Sequence, residues 1–262
     1  MLEHRNTRIL NQYSIHTQRD LLGELRSEIQ RSGIHKIVVL DDDPTGTQTV
    51  ANVPVYTGWD EESIKDIFAN EYLLNFILTN SRAFGEEKTV QVHQEIALNL
   101  KKSAAVTEKK YLLISRADST LRGHYPTETE VLRRELEKDN TICFDGEVIC
   151  PYFAEGGRYT IDNVHYVRYG NELIPAAETE FAKDETFGYH ESDLKKYIYE
   201  KTEGRFKEDE VVDISLEELS DVRINEIVSK LKAVEHFIQA IGGRQARLQM
   251  EQALKQALIG RR

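Results

Sequence analysis

The run Ile37–Leu40, followed at once by three aspartates, constrains the fold of this chain more than any other stretch. Its residues are all aliphatic and do not alternate with polar ones, which is typical of a strand buried on both faces of a parallel sheet. In open α/β sheets, ligands bind at the carboxyl ends of such strands. Asp41, Asp42 and Asp43 therefore lie where chemistry is expected, because adjacent carboxylates need a cation or hydrogen-bond donors beside them. The alternative is a solvated acidic turn closed by Pro44 and Gly46.

Strands and helices alternate over roughly the first half of the chain. The spacing of apolar residues predicts strands at 37–40, 53–57, 76–79 and 111–115 and helices over 17–32, 61–69, 86–101 and 126–138. After about residue 150, short strands and turns lead to a helix over 192–201, a strand at 211–214 and a helix over 222–232. These elements predict an α/β fold: a doubly wound, mostly parallel sheet with helices on both faces and a small antiparallel excursion.

The chain is expected to divide near residue 232. Residues 1–232 would form one α/β domain, and residues 233–262 a helical tail. The helix is predicted because Met250, Leu254 and Leu258 recur at helical spacing and would form one apolar face.

Composition excludes several classes of protein. A net charge of -11 over 262 residues argues against a general nucleic-acid binder. No apolar run is long enough to span a bilayer or to serve as a signal peptide, so we expect a cytoplasmic protein without a membrane partner. Cys143 and Cys150 lack the spacing of metal ligands, which predicts two reduced thiols and no metal site.

Polar residues and arginines follow each later strand of the predicted sheet. Thr79–Arg82 follows the second buried strand, Arg116–His124 follows the third, and Glu155–Arg158 follows the fourth. The planar guanidinium group of arginine matches a carboxylate or phosphate with two parallel hydrogen bonds. The predicted ligand is therefore a small polyhydroxylated anion, although any one of these arginines taken alone could form a surface salt bridge.

These motifs resemble the N-terminal domain of the four-carbon acid sugar kinases over roughly residues 35 to 232. The resemblance is carried by DDPTG at 42–46, TNSR at 79–82, RADSTLRGH at 116–124, GRYTIDNVHYV at 157–167 and ETEFAKDETFGY at 178–189. Members of this family use ATP to phosphorylate the terminal hydroxyl of acids such as threonate, erythronate or 3-oxo-tetronate. Their N-terminal domain holds the acid, and a glycine-rich C-terminal domain holds the nucleotide.

The resemblance implies roles for individual residues of this chain. The implied catalytic residues are Asp42, Asp43 and Asp118, and the implied substrate-binding residues are Ser81, Arg82, Ser119, Thr120, Arg122, Gly123 and Arg158. An aspartate would orient and deprotonate the attacking hydroxyl, while arginines would bind the acid or screen the transferring phosphoryl group. Which aspartate is the base, and which four-carbon acid is bound, both stay open.

The family also implies ATP and magnesium, but the sequence after about Ala233 stops resembling it. We therefore expect that the nucleotide-binding domain is absent and that the chain alone is catalytically incomplete. The expected protein partner is either a separate nucleotide-binding chain or a second copy of this chain. A truncation, a shifted reading frame and one subunit of a split enzyme would all explain such a chain.

Two other functions compete with this one. Asp41, Asp43 and Thr45 after a buried strand also match the nucleophile motif of haloacid-dehalogenase-type phosphatases. In such an enzyme Asp41 would attack phosphorus, Asp43 would act as the general acid, and a magnesium ion would be required. That function leaves the DSTLRG motif unexplained. The second alternative is a non-catalytic module that binds a sugar acid in the same pocket.

Overall fold

The computed structural model describes residues 2–13, 21–45, 50–139, 143–144, 146–220, 223–233 and 236–239. Its strands are β1 (Arg5–Asn6), β2 (Ile34–Asp41), β3 (Val55–Tyr56), β4 (Leu74–Leu78), β5 (Lys110–Arg116), β6 (Glu147–Ile149), β7 (Arg158–Ile161), β8 (Val164–Tyr169), β9 (Glu172–Pro175), β10 (Val211–Ile214) and β11 (His236–Gln239). Its α-helices are α1 (Leu21–Ser32), α2 (Glu61–Ala69), α3 (Glu86–Thr107), α4 (Thr127–Glu137), α5 (Leu194–Lys201), α6 (Leu216–Ser220) and α7 (Ile224–Ala233).

The described residues divide into two compact units. The parallel-sheet unit comprises Ile29–Asp118 and Arg122–Phe144. The hairpin unit comprises the described residues within Met1–Glu28, Ser119–Leu121 and Asp145–Arg262. The stretch 1–232, predicted to form one domain, therefore contributes to both units.

The parallel-sheet unit is built on four parallel strands in the order β3-β4-β2-β5. Parallel strands need long crossover connections. Helix α2 connects β3 to its neighbour β4, and α3 connects β4 to β5, which lies on the other side of β2. Helix α2 begins after Asp60, whose side chain accepts hydrogen bonds from the backbone of Glu62 and Ser63, both at 3.0 Å. The predicted parallel sheet is confirmed, and Pro54 immediately precedes an edge strand, as expected.

One apolar cluster joins this sheet to α2, α3 and α4. Its buried members are Val38, Leu40, Ile64, Ile67, Phe68, Ile77, Val92, Ile96, Ala97, Leu100, Leu132 and Leu136. The members on the helices recur every three or four residues, which is the spacing that places side chains on one helical face. The cluster fixes the strands whose carboxyl ends carry the aspartates and arginines.

The hairpin unit contains two further sheets. The antiparallel sheet has the order β1-β9-β8-β7, and the parallel sheet has the order β10-β11-β6. The turn between β7 and β8 has positive φ angles at Asp162 (50°) and Asn163 (66°), as a two-residue hairpin turn requires. The antiparallel excursion is thus confirmed, whereas the later parallel strands form a sheet of their own instead of extending the first one.

The predicted helical tail begins with a strand in the structure. Helix α7 ends at Ala233, and β11 then pairs in parallel with both β10 and β6. The short helices α6 and α7 serve as the crossover from β10 to β11. The helical face predicted at Met250–Leu258 lies outside the described residues.

Two predictions from composition can be compared with the described structure. Cys143 and Cys150 are not joined in a disulfide. Within the described ranges, no helix has both the length and the apolar character needed to cross a bilayer.

Replacing Ile96 by alanine should lower the free energy of unfolding by about 2 to 5 kcal/mol, because this fully buried side chain would leave a cavity in the apolar cluster. Urea denaturation followed by circular dichroism measures the change. The matched control is Val106→Ala on the same helix, where the side chain is 80% exposed; it should change the free energy by less than about 0.5 kcal/mol. Equal losses for the two variants would contradict the packing of α3.

Candidate functional site

Asp41 ends β2 and is almost completely buried. Its Oδ1 accepts a hydrogen bond from Nη1 of Arg116, the last residue of the neighbouring strand β5, at 3.0 Å. Its Oδ2 is buried and has no partner among the described residues. Burial raises the pKa of Asp41, and the charge of Arg116 acts against this. A carboxylate in this position is poorly placed to attack a phosphoryl group, which disfavours the phosphatase alternative.

Asp42 is buried, and both of its carboxylate oxygens accept hydrogen bonds from Arg82. Arg82 donates two hydrogen bonds to Asp42, from Nε to Oδ2 at 3.0 Å and from Nη2 to Oδ1 at 2.6 Å. Its third guanidinium nitrogen, Nη1, donates to Oδ2 of Asp43 at 3.2 Å. Burial raises the pKa of Asp42 to about 6, although the hydrogen bonds and charge of Arg82 act to lower it. Arg82 thus has all three guanidinium nitrogens directed at two carboxylates.

Asp43 lies nearer the surface than its two neighbours. Its Oδ1 accepts hydrogen bonds from the backbone and the hydroxyl of Thr45, which forms a tight turn after β2. Partial burial acts to raise the pKa of Asp43, but the hydrogen bonds from Thr45 and the charges of Arg82 and Arg116 together outweigh it, and the pKa is lowered. Gly46, the last residue of the DDPTG motif, lies outside the described residues.

The turn after β4 presents Arg82 to these carboxylates. Asn80 has a left-handed backbone with φ of 53°, which asparagine tolerates better than most residues, and it begins a single 3-10 turn over Ser81–Ala83. The backbone N–H of Arg82 donates to the carbonyl of Asp42 at 3.2 Å. Arg82 is therefore attached to β2 through both its backbone and its side chain.

Ser81 faces the interior of the protein. Its side chain is fully buried, and its hydroxyl donates to Oε1 of Glu128 at 2.6 Å. His93 lies behind this pair, with its Nε2 3.8 Å from the same carboxylate oxygen. That Ser81 binds a substrate stays a prediction, since the hydroxyl has a partner inside the protein.

Glu128 is a residue that the sequence analysis did not select. Burial is the main cause of the raised pKa of Asp42, and Arg82 acts to lower it. The negative charge of Glu128 has a smaller effect and adds to the rise. The signal that could have identified it is helical spacing, because Glu128 shares one buried face of α4 with Val131, Leu132 and Glu135. A glutamate on such a face needs a partner inside the protein, and the Ser81 hydroxyl is one.

The loop after β5 carries the third part of the site. Nε of Arg122 donates to Oδ2 of Asp118 at 2.6 Å. Gly123 has φ of 140°, and a Cβ atom there would lie 3.4 Å from Oδ2 of Asp42. The glycine therefore allows this loop to pass close to the buried carboxylate. His124 Nε2 lies 2.9 Å from the carbonyl of Phe84, which attaches the end of the loop to the turn after β4.

The structure brings together most of the predicted site residues. The parallel-sheet unit contains Asp42, Asp43, Arg82, Asp118, Arg122 and Gly123. It also contains Arg116, which the sequence placed after the third strand without a role, and Glu128, which the sequence analysis did not select. The charge of Asp118 is near enough to add to the rise in the pKa of Asp42 that burial begins. Arginine–aspartate pairs thus lie at the ends of three adjacent strands, β4, β2 and β5. Arg82 after β4 pairs with Asp42 after β2, Arg116 at the end of β5 pairs with Asp41 at the end of β2, and Arg122 and Asp118 both follow β5.

The other predicted residues belong to the hairpin unit: Ser119, Thr120 and Arg158. Thr120 is fully buried. The guanidinium carbon of Arg158 lies 5.4 Å from the ring centroid of Phe181, and its Nη1 donates to the carbonyl of Gly156. That these three residues share a site with Asp42 stays a prediction.

The paired charges can recognise a hydroxylated anion. A sugar hydroxyl both donates and accepts hydrogen bonds, so it can bridge an aspartate oxygen and a guanidinium N–H. Each pair also holds its own side chains in a fixed orientation, which lowers the entropy that binding would cost. No group of three or more histidine, cysteine, aspartate or glutamate side chains in the described part of the chain could hold a metal ion.

Residues 37–243 match the family described as the sugar-binding N-terminal domain. The chain belongs to this family. The predicted resemblance to the N-terminal domain of the four-carbon acid sugar kinases is thereby confirmed. No curated protein sequence matches the chain.

Solved structures with the same fold include three bacterial proteins. One is a putative tRNA synthase from Salmonella typhimurium, with 15% identity, a TM-score of 0.60 and coverage of 87% of this chain and 56% of its own. Another is a domain of unknown function from Bordetella bronchiseptica, a domain-swapped dimer with bound citrate. Its identity is 17% and its TM-score 0.58, and the match covers 86% of this chain and 57% of that protein. The third, from Haemophilus influenzae, belongs to the same family of unknown function. Its identity is 16% and its TM-score 0.56, and the match covers 84% of this chain and 56% of that protein. The chain thus spans little more than half of each.

The stability of the protein should depend on the titration of Asp42. Its pKa rises from an ordinary 3.8 to about 6 on folding, so the folded state binds this proton more tightly than the unfolded state. Relative to an Asp42→Asn variant, the wild-type protein should therefore lose about 2 to 3 kcal/mol of stability as the pH rises from about 4 to about 6. Urea denaturation at a series of pH values measures this difference.

A carbon-13 NMR titration of the Asp42 carboxyl provides the control, because it does not depend on the variant. A titration midpoint at or below 4 would contradict the burial described for this group.

Proposed function

We propose that this chain is the substrate-binding part of an ATP-dependent kinase that phosphorylates a four-carbon acid sugar of the threonate, erythronate or 3-oxo-tetronate type. The observation that carries the proposal is the set of three arginine–aspartate pairs at the carboxyl ends of β4, β2 and β5. Membership of the sugar-binding family supports it. The citrate bound to the Bordetella bronchiseptica protein of the same fold is a carboxylate ligand, which agrees with an acidic substrate.

The pairs suggest how the acid would lie. The side chains of Arg116 and Arg122 are 34% and 26% exposed, against 18% for Arg82. The guanidinium nitrogens of Arg82 are already directed at Asp42 and Asp43. We therefore assign the substrate carboxylate to Arg122, with Arg116 as the neighbouring positive charge, and assign to Arg82 the task of holding the two aspartates.

The attacking hydroxyl would be oriented by Asp43 or Asp118. Both oxygens of Asp42 accept hydrogen bonds from Arg82, and the side chain is only 2% exposed. The Asp43 and Asp118 side chains are 26% and 12% exposed. A general base must reach the proton that it removes, so the more exposed carboxylates fit that role better.

We assign ATP and Mg²⁺ to a nucleotide-binding domain that is supplied by a longer chain or by a partner chain. Phosphoryl transfer requires that the nucleotide, the metal ion and the acceptor hydroxyl be held in line. The part played by the described residues is to bind the acid and to orient its hydroxyl. A purely sugar-binding module without kinase activity is the second candidate, because the same arginine–aspartate pairs would serve it equally well.

Isothermal titration should show that the protein binds a four-carbon sugar acid more tightly than the neutral polyol of the same configuration, because only the acid can pair with arginine. Arg122→Ala should weaken binding of the acid roughly ten- to a hundredfold, the cost of losing a charge-assisted contact. The control is Arg134→Ala, since Arg134 is a largely exposed residue of α4 that pairs with Glu135. Equal affinity for acid and polyol would contradict the proposed ligand.

A coupled assay of ADP release should detect negligible turnover of D-threonate, D-erythronate or 3-oxo-tetronate by the 262-residue protein alone. Turnover should appear when a nucleotide-binding domain of the family is supplied in cis or in trans, because the transferring phosphate is then held in line with the bound acid. Robust turnover by the isolated chain would overturn the assignment of ATP to another domain. Acid binding without turnover in either case would favour the binding module.

A further inference from the structure

Three consecutive carbonyl groups in the loop between β5 and α4 each accept a hydrogen bond from a different buried side chain. The pairs are His165 Nε2 with the carbonyl oxygen of Ser119 at 2.7 Å, the Tyr189 hydroxyl with that of Thr120 at 2.8 Å, and the Tyr197 hydroxyl with that of Leu121 at 3.0 Å. All of these residues belong to the hairpin unit. We refer to His165, Tyr189 and Tyr197 as the carbonyl clamp.

The carbonyl clamp is itself held rigidly. Its three side chains are nearly or completely buried. The rings of Tyr189 and Tyr197 meet edge to face, with centroids 5.6 Å apart and an interplanar angle of 88°. The Thr160 hydroxyl lies 2.9 Å from Nδ1 of His165. When this hydroxyl donates to Nδ1, the imidazole proton is on Nε2, which is the tautomer that can donate to the Ser119 carbonyl.

Leu121 shows that the loop needs such support. Its φ is 66°, in the left-handed region, and leucine rarely adopts this conformation because its Cβ meets the backbone. A strained residue persists only when its surroundings determine its conformation. The hydrogen bond from Tyr197 and the burial of the leucine side chain are such determinants.

The clamped segment is flanked on both sides by candidate ligand-binding residues. Asp118 precedes it and Arg122 follows it, and their ion pair at 2.6 Å closes the loop. Because only three residues separate them, the backbone conformation of Ser119–Leu121 sets the distance and orientation of the two charged side chains.

We propose that His165, Tyr189 and Tyr197 are positioning residues, which hold Asp118 and Arg122 in the geometry that binds the substrate. They act through three backbone carbonyls and need not touch the ligand. The effect on ligand affinity rests on the proposed function, whereas the effect on the Asp118–Arg122 pair does not.

The test compares wild type, the double variant Tyr189→Phe/Tyr197→Phe and the control Tyr56→Phe. The control loses a hydroxyl that donates to Asp66 at 2.6 Å between β3 and α2, so it also removes a tyrosine hydrogen bond but leaves the loop intact. The first readout is the hydrogen-exchange rate of the Arg122 Nε–H by nitrogen-15 NMR, assigned with Arg122→Lys. We expect severalfold faster exchange in the double variant and an unchanged rate in the control.

The second readout is the affinity for the sugar acid by isothermal titration at a temperature where all the proteins are folded. The double variant should bind roughly three- to tenfold more weakly, because Asp118 and Arg122 are no longer held in advance in the geometry that binds the acid. The same tyrosine changes made in an Arg122→Ala background should cause little further loss, because they act through Arg122.

The outcomes separate the two proposals. If no sugar acid binds to wild type, the proposed function fails, and the exchange rate of the Arg122 Nε–H still decides whether the clamp positions the pair. An exchange rate that matches that of the control would overturn the clamp proposal. So would an additive loss of affinity in the Arg122→Ala background.

Discussion

The buried carboxylate of Asp42 is the constraint on which the rest of the parallel-sheet unit depends. An isolated charge at this depth would cost several kcal/mol, so it must be paired or protonated. Arg82 meets this need with two hydrogen bonds, and the turn that carries Arg82 is in turn held by the Asp42 carbonyl and by the bond from Ser81 to Glu128. Gly123 has φ of 140°, a conformation that favours glycine, where the next loop passes beside the same carboxylate.

The site follows from a general property of parallel sheets. Adjacent parallel strands end at the same edge, so residues far apart in sequence are gathered there without any contact having to be specified along the chain. In this way Arg82 from the end of β4 and Arg116 from the end of β5 each meet an aspartate at the end of β2. Arg122 pairs with Asp118 in the loop after β5. Because the charges are paired among themselves, they cost less to bury and are already oriented for a ligand that carries both hydroxyls and a carboxylate.

Much of the fold could be predicted from sequence because its signals are local. Helix α2 and strand β10 have the predicted bounds, and the aliphatic run of β2 identified a buried parallel strand. The division into separate sheets could not be predicted, because short strands such as β6 and β11 pair over long sequence separations that no local pattern records. For the same reason a strand was missed in the stretch assigned to a helical tail.

The sequence by itself determined which residue types stand after each strand, and those types indicated a site for a hydroxylated anion in the sugar-binding family. Only the tertiary structure decided which partner each one takes. It directs the Ser81 hydroxyl at Glu128 and matches Arg116 with Asp41. It also aims two tyrosine hydroxyls at the carbonyls of Thr120 and Leu121. The physical reason is that side-chain pairing depends on burial and distance in three dimensions, whereas residue type and spacing along the chain define only what each group is able to do.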